Sequence, residues 1–276
     1  MEKLFNPDYL FHLCQKYGLR PSKQYGQNFL LNEKVVEKMI EAGEINKKDT
    51  VVEVGPGFGV LTLPLCEKAG KVIAYEIEKK IKEYWDEKQK EYKNLEIIWG
   101  NVLYSNKLQV ASGKYKVIAN LPYQITSQVI RFFLEQENKP ENMVIMVQKE
   151  VGERICAKPG DLSVLGLSVQ FYGEPEIVAM VPRDNFYPVP KVDSVIVKIT
   201  LKKYLPEVDE KKFFDFVKAG FINKRKLLIK NLKNYLGKKN KEKIDRAFEK
   251  MGFSNNVRAQ ELSLEEWLKL FKEIEL

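Results

Sequence analysis

From residue 51 onward, short runs of β-branched and aliphatic residues alternate with longer amphipathic stretches. Seven of the short runs have strand length: 51–54, 71–75, 95–99, 115–119, 143–148, 176–181 and 194–200. Between them apolar positions recur at helical spacing over 61–68, 78–91, 127–136 and 162–172. This order predicts a mainly parallel sheet covered by crossover helices, an α/β domain. Beyond Thr200 the strand signals stop. Phe213, Phe214, Val217 and Phe221, then Leu227, Leu228 and Leu232, keep helical spacing. The change of period predicts two unequal domains, an α/β domain over residues 1–204 and a small all-helical domain over 205–276.

Composition narrows the class. With 276 residues, 44% of them apolar, the chain can bury a substantial core. The longest purely apolar runs, such as 143–147, are strand-sized, and the first residues lack the basic and apolar regions of a secretory signal. A soluble cytoplasmic protein with no membrane partner is expected. Cys14, Cys66 and Cys156 are scattered and odd in number, which fits free thiols in a reducing compartment. His12 is the single histidine, so neither a histidine-based metal site nor a Ser-His-Asp triad is expected. No metal is called for.

Charge is unevenly placed. Residues 211–250 hold 14 Lys and Arg against 4 Asp and Glu and alone carry +10, whereas the whole chain carries +8. A cationic segment on an otherwise balanced protein suits a polyanion, nucleic acid above all; the alternative is a solvated lysine-rich helical face.

Residues 51–54 run into Gly55-Pro56-Gly57-Phe58-Gly59, a strand, a tight turn and a helix start. Glycines there let the backbone turn sharply and approach a ligand closely. Glu76 follows Gly55 by 21 residues at the end of the second expected strand, where a carboxylate can accept from ribose hydroxyls. A dinucleotide fingerprint would have glycine at the sixth place, which Val60 holds. The Gly-x-Gly-x-Gly spacing instead resembles the first motif of S-adenosylmethionine-dependent methyltransferases, with an ordinary glycine-rich turn as the alternative.

Asn120-Leu121-Pro122-Tyr123 ends the fourth expected strand, where an open α/β sheet presents groups to a ligand crevice. The exocyclic amine of adenine is a poor nucleophile because its lone pair is delocalised into the ring. The Asn120 side-chain oxygen and the Leu121 carbonyl could accept its two N–H bonds and localise that pair. Pro122 stiffens the loop, and Tyr123 offers a ring face to an extruded base. Related Asn-Pro-Pro-Tyr loops also serve glutamine methylation, so the tetrapeptide by itself leaves the acceptor open.

These motifs together resemble the ribosomal RNA adenine N6,N6-dimethyltransferases, the kasugamycin-sensitivity type acting on small-subunit rRNA. The resemblance runs almost end to end. It includes Gln24-Tyr25-Gly26-Gln27-Asn28-Phe29-Leu30, the Gly55 loop, Glu76, Gly100-Asn101-Val102-Leu103, the Asn120 tetrapeptide and Gln148-Lys149-Glu150-Val151 with Ala157-Lys158-Pro159-Gly160. It continues through Phe186-Tyr187-Pro188-Val189-Pro190-Lys191-Val192-Asp193-Ser194, Asn223-Lys224-Arg225-Lys226 and Arg258-Ala259-Gln260-Glu261-Leu262-Ser263. It implies an S-adenosylmethionine-dependent, Rossmann-like methyltransferase domain with a small C-terminal all-helical RNA-binding domain. The implied cofactor contacts are Asn28, Leu30, Gly55, Glu76, Asn101 and Asn120. The implied catalytic group is Asn120, Leu121, Pro122 and Tyr123, with Phe186 holding the target base opposite Tyr123; the alternative for Phe186 is a loop aromatic that caps the core. Lys191, Lys224, Arg225 and Lys226 are implied RNA-phosphate contacts, and a monomer acting on small-subunit rRNA is expected. The family usually has Asp where this chain has Asn101, which removes charge assistance and implies weaker cofactor binding.

Two other readings share these features. One is the macrolide-resistance group, which methylates an adenine of large-subunit rRNA. The other is a non-catalytic ribosome-assembly or transcription factor with the same fold. Lys191-Val192-Asp193-Ser194 and the basic tail favour the small-subunit type over the first, and the intact Asn120 tetrapeptide and Glu76 argue against the second.

Overall fold

The computed structural model describes residues 2–19, 28–105, 108, 110, 113–237 and 240–274. Nine strands occur among them: β1 (Phe29–Leu30), β2 (Thr50–Val54), β3 (Lys71–Glu76), β4 (Leu95–Trp99), β5 (Lys116–Asn120), β6 (Asn142–Gln148), β7 (Gly173–Val181), β8 (Phe186–Tyr187) and β9 (Ser194–Leu201). The helices are α1 (Pro7–Lys16), α2 (Glu33–Ala42), α3 (Thr62–Lys68), α4 (Lys82–Glu91), α5 (Thr126–Leu134), α6 (Lys149–Ile155) and α7 (Val164–Tyr172). They continue with α8 (Glu210–Phe221), α9 (Leu228–Leu236), α10 (Lys241–Lys250) and α11 (Leu264–Ile274). Several begin on a side chain suited to the orphan amides of a first turn. Asn32 accepts from the Lys34 N–H, Ser163 from Gly166 and Asp209 from Lys212.

Seven strands form one sheet in the order β4-β3-β2-β5-β6-β9-β7. The pairs from β4 through β6 are parallel, and β9 runs antiparallel to β6. Residues 143–147 in β6 are fully buried, which explains their unbroken apolar run. The chain builds outward from β2 through β3 to β4, then returns to β2's other side for β5 and β6. The order therefore reverses between β2 and β5, and ligands in open α/β sheets bind in the crevice outside the carboxyl ends at such a reversal. Gly55 leaves β2 and Asn120 ends β5 at that crevice.

The observed strands follow the expected runs within a few residues. The seventh starts at Gly173, ahead of Pro175, because β7 lies at the sheet edge, where a missing backbone N–H is tolerated. The helix expected from 78 begins instead as a short 3-10 turn, Lys79–Ile81, with the Glu78 carboxylate accepting from the Lys80 N–H. A second sheet, absent from the expectation, pairs β1 with β8, setting Leu30 opposite Phe186 and Phe29 opposite Tyr187.

The chain divides into two compact units, Met1–Gly152 with Glu174–Leu201, and Glu153–Gly173 with Lys202–Leu276. Helix α7 precedes β7 in the chain yet belongs to the second unit. Its Phe171 stacks on Phe213 at 5.5 Å between centroids, and the Tyr172 hydroxyl donates to Glu210 Oε2 at 2.6 Å. Among the described residues no helix is long and apolar enough to cross a membrane.

Candidate active site

The turn after β2 is shaped by its glycines. Gly55, Gly57 and Gly59 have φ of +74°, +54° and +87°, values that side-chain-bearing residues adopt only with strain. Helix α4 fixes the turn from behind. The Trp85 indole N–H donates to the Gly57 carbonyl at 3.0 Å, and the Tyr84 hydroxyl donates to the Phe58 carbonyl at 2.7 Å. A Cβ on Gly59 would stand 2.9 Å from the Trp85 ring.

Glu76, at the end of β3, is 5% exposed. Its Oε2 accepts from the Gly57 N–H at 3.2 Å, and its Oε1 accepts from the N–H groups of Ile77 and Glu78, each at 2.8 Å. Burial raises its carboxyl above the usual range, while these backbone donors pull the other way. Glu53, one residue before the end of β2, is fully buried, and burial pushes its carboxyl up to about 8. The Thr62 side chain beside it pulls the other way, and among the described residues no geometrically good hydrogen bond reaches its Oε2.

The tetrapeptide closes the opposite wall. A Cβ on Gly55 would lie 3.9 Å from Pro122, so the two loops nearly touch. The Leu121 N–H donates to the Met146 carbonyl at 3.2 Å, and the Pro122 carbonyl accepts from the Ile125 N–H at 3.2 Å and the Thr126 hydroxyl at 3.1 Å. These bonds fix the backbone as it enters α5. The Asn120 side-chain nitrogen donates to the Asn28 carbonyl in a long bond of 3.4 Å, which leaves its oxygen as the acceptor. Tyr123 is half-buried, and its hydroxyl pairs with the Ser194 hydroxyl at 2.8 Å. Burial raises the Tyr123 phenol, which stays protonated at neutral pH.

One cavity is lined by Asn28, Leu30, Gly55, Glu76, Asn120, Leu121, Pro122 and Tyr123, all expected from sequence, and by Glu53 and Phe58 among others. Gln24 to Gln27, which share the resemblance carried by Asn28 and Leu30, lie outside the described residues. Two expected site residues are not on this wall. Asn101, two residues beyond β4, is half-buried, and its side-chain oxygen accepts from the Leu103 N–H at 3.0 Å, capping the short turn Val102–Tyr104. Phe186 is 1% exposed within the core, held there by the pairing of β8 with β1, and is a strand residue where a loop aromatic was expected. Lys191, Lys224, Arg225 and Lys226 are exposed. Arg225 and Lys226 also line an open cleft with Lys230, Lys233, Asn234 and Lys241, which sequence reasoning did not single out. The i, i+3 spacing of Lys230 and Lys233 along α9 was the available signal.

Residues 18–276 match the family described as ribosomal RNA adenine dimethylase. The chain belongs to this family. It is 43% identical over 262 residues to the ribosomal RNA small subunit methyltransferase A of Dehalococcoides mccartyi, covering 94% of this chain and 90% of that one. Among solved structures, a dimethyladenosine transferase from Plasmodium falciparum superposes with a TM-score of 0.77 at 28% identity, covering 90% of this chain and 98% of that one. The 23S rRNA methyltransferase ErmE gives 0.73 at 26%, covering 90% and 100%. The fold is that of the S-adenosylmethionine-dependent methyltransferases with a helical C-terminal region, and the chain is an rRNA adenine dimethyltransferase that draws on that cofactor.

The cavity suits S-adenosylmethionine better than a pyrophosphate-bearing nucleotide. The Gly57 N–H, which an anion would need, already donates to Glu76. The buried Glu76 carboxyl lines the cavity and offers acceptor oxygens, with the buried, neutral Glu53 on the same wall. The cofactor brings ribose hydroxyls, an ammonium and a sulfonium to such a site, whereas a phosphate would meet repulsion.

Proposed function

We propose that the protein dimethylates the N6 amines of two adjacent adenines in a 3'-terminal hairpin of small-subunit rRNA, a step in ribosome biogenesis. The observation that carries this reading is the meeting of Gly55 and Pro122 across the sheet reversal, which sets the cofactor turn beside an amine-holding loop. The Dehalococcoides relative, a small subunit methyltransferase, supports the small subunit over the large.

When bound, S-adenosylmethionine supplies a methyl carbon on a sulfonium that departs as a neutral thioether. Asn120 and the Leu121 carbonyl accept the two N–H bonds of the target amine and turn its lone pair out of conjugation. Pro122 holds the loop rigid, and Tyr123 stacks on the base. No strong base is required, because the amine proton becomes acidic only as the N–C bond forms and can pass to water. Glu76 holds the ribose, Asn28, Leu30 and Gly55 frame the cofactor, and Asn101 faces its adenine. Phe186 completes the base pocket only if the short β1 and β8 pair shifts to release its ring. Methyl transfer is assigned to the domain of residues 1–204, and RNA binding to 205–276 together with Lys191, Lys224, Arg225 and Lys226. The protein acts as a cytoplasmic monomer.

The test incubates the protein with labelled S-adenosylmethionine and undermethylated small or large ribosomal subunits, then identifies the nucleosides. Dimethyladenosine from the small subunit is expected. Product from the large subunit alone overturns the substrate assignment, and no product from either overturns the reading. Asn120→Ala should abolish turnover while RNA binding persists.

A further inference from the structure

Ser194 begins β9 and is fully buried, opposite Gln148 of β6. A hydroxyl buried this deeply needs a partner, and its oxygen lies 2.8 Å from the hydroxyl of Tyr123. Tyr123 is the member of the tetrapeptide whose side chain extends farthest from the backbone bonds that fix Leu121 and Pro122. Its ring orientation is set by χ1 and χ2, torsions that the backbone leaves open. An anchored hydroxyl selects one orientation.

The preceding residue ties the same segment to its surroundings. The Asp193 carbonyl accepts from the Lys149 N–H at 3.0 Å, and its carboxylate accepts from the Arg183 N–H at 3.0 Å. The latter bond closes the base of the 183–193 loop, which carries Phe186 and Lys191. Ser194 therefore projects from a point fixed against both β6 and the loop, a rigid support for a side chain on the cavity wall.

We propose that Ser194 is a positioning residue for methyl transfer, holding the Tyr123 ring at the angle at which the target adenine stacks. This rests on the reading of Tyr123 as the base-stacking group. The hydroxyl pair does no proton transfer; it removes rotational freedom from the ring before the base arrives.

The experiment compares wild type, Ser194→Ala, Tyr123→Phe and the double variant, as full-length protein with S-adenosylmethionine and undermethylated small subunits. Each single change removes the same bond from one side. Each should lower kcat by roughly fivefold, the worth of one neutral hydrogen bond, and leave the cofactor dissociation constant as in wild type. The double variant should be no slower than Tyr123→Phe. In RNA carrying 2-aminopurine at the target position, stacking on Tyr123 should quench fluorescence in the wild-type complex and less so in Ser194→Ala. An unchanged kcat in Ser194→Ala, or losses that multiply in the double variant, overturns the proposal. If Ser194→Ala does not fold, an unchanged kcat in Tyr123→Phe does the same. Wild type that yields no dimethyladenosine removes the functional reading and this inference with it, whereas active wild type with indifferent variants removes the inference alone.

Discussion

Glu76 accepts a hydrogen bond from the Gly57 N–H at 3.2 Å, so the carboxyl end of β3 is tied to the turn that leaves β2. One side chain thereby shapes the glycine turn and faces the cavity. Replacing it as Glu76→Gln keeps the volume but loses the charge, and puts an amide donor among three backbone N–H donors. The dissociation constant for S-adenosylmethionine should rise about ten- to a hundredfold, the range for a hydrogen bond to a charged group. Titration calorimetry measures it, and an affinity equal to wild type would remove Glu76 from the site.

Glu53 carries a dependence of stability on pH. Its carboxyl ionises near 4.5 ordinarily, but in the folded chain burial pushes it to about 8. Between those values the unfolded chain has released a proton that the folded chain still holds. Its contribution is therefore complete below about pH 4.5 and is lost as pH rises through about 8. Glu53→Gln stays neutral throughout. The stability of this variant relative to wild type should climb across that window, by up to about 1.4 kcal/mol per pH unit. Burial also raises Glu76, with the same sign; Glu76 is present in both proteins, so the trend in the difference reports Glu53 together with its repulsion by Glu76. Urea unfolding near the two ends of the window measures the trend; a constant difference would show that Glu53 is ionised in the folded state.

Much of this site was legible in the sequence because spacing alone carries it. Gly55, Gly57 and Gly59 announce a turn with positive φ, Glu76 sits one strand further on, and Asn120 ends a run bounded by polar residues. What could not be read depends on pairings between distant positions. Strands β1 and β8 are two residues each, too short for any period, and their pairing is what buries Phe186. Trp85 and Tyr84 look like ordinary apolar positions of an amphipathic helix, and only the tertiary structure shows them donating to the glycine turn. Glu53 breaks an apolar strand two residues before Gly55, a visible anomaly whose role depends on a burial that no spacing reveals.

The basic turn between α8 and α9 is expected to set the salt dependence of RNA binding. Lys224, Arg225 and Lys226 are exposed, as phosphate contacts must be. Changing all three to alanine should weaken binding to small-subunit RNA regardless of its sequence. It should also flatten the slope of log K against log salt by roughly 2 to 3, one released counterion per lost contact. Filter binding over a salt series measures the slope. A loss of affinity with no change in slope would mean that these side chains act on the fold and touch no phosphate.

Asn101 leaves the affinity for the cofactor open to improvement. It follows β4, whose Trp99 pairs with Glu76, and the Gly100 N–H donates to the Glu76 carbonyl at 2.8 Å, so it lies near Glu76 along the sheet end. Its side-chain oxygen already accepts from the Leu103 N–H. Aspartate would keep that cap with a charged acceptor and present a second oxygen, where asparagine presents an amide donor. The exocyclic amine of the cofactor's adenine needs an acceptor, so Asn101→Asp should lower the dissociation constant for S-adenosylmethionine about three- to tenfold. Calorimetric titration tests it, and an unchanged constant would mean that Asn101 does not face the adenine.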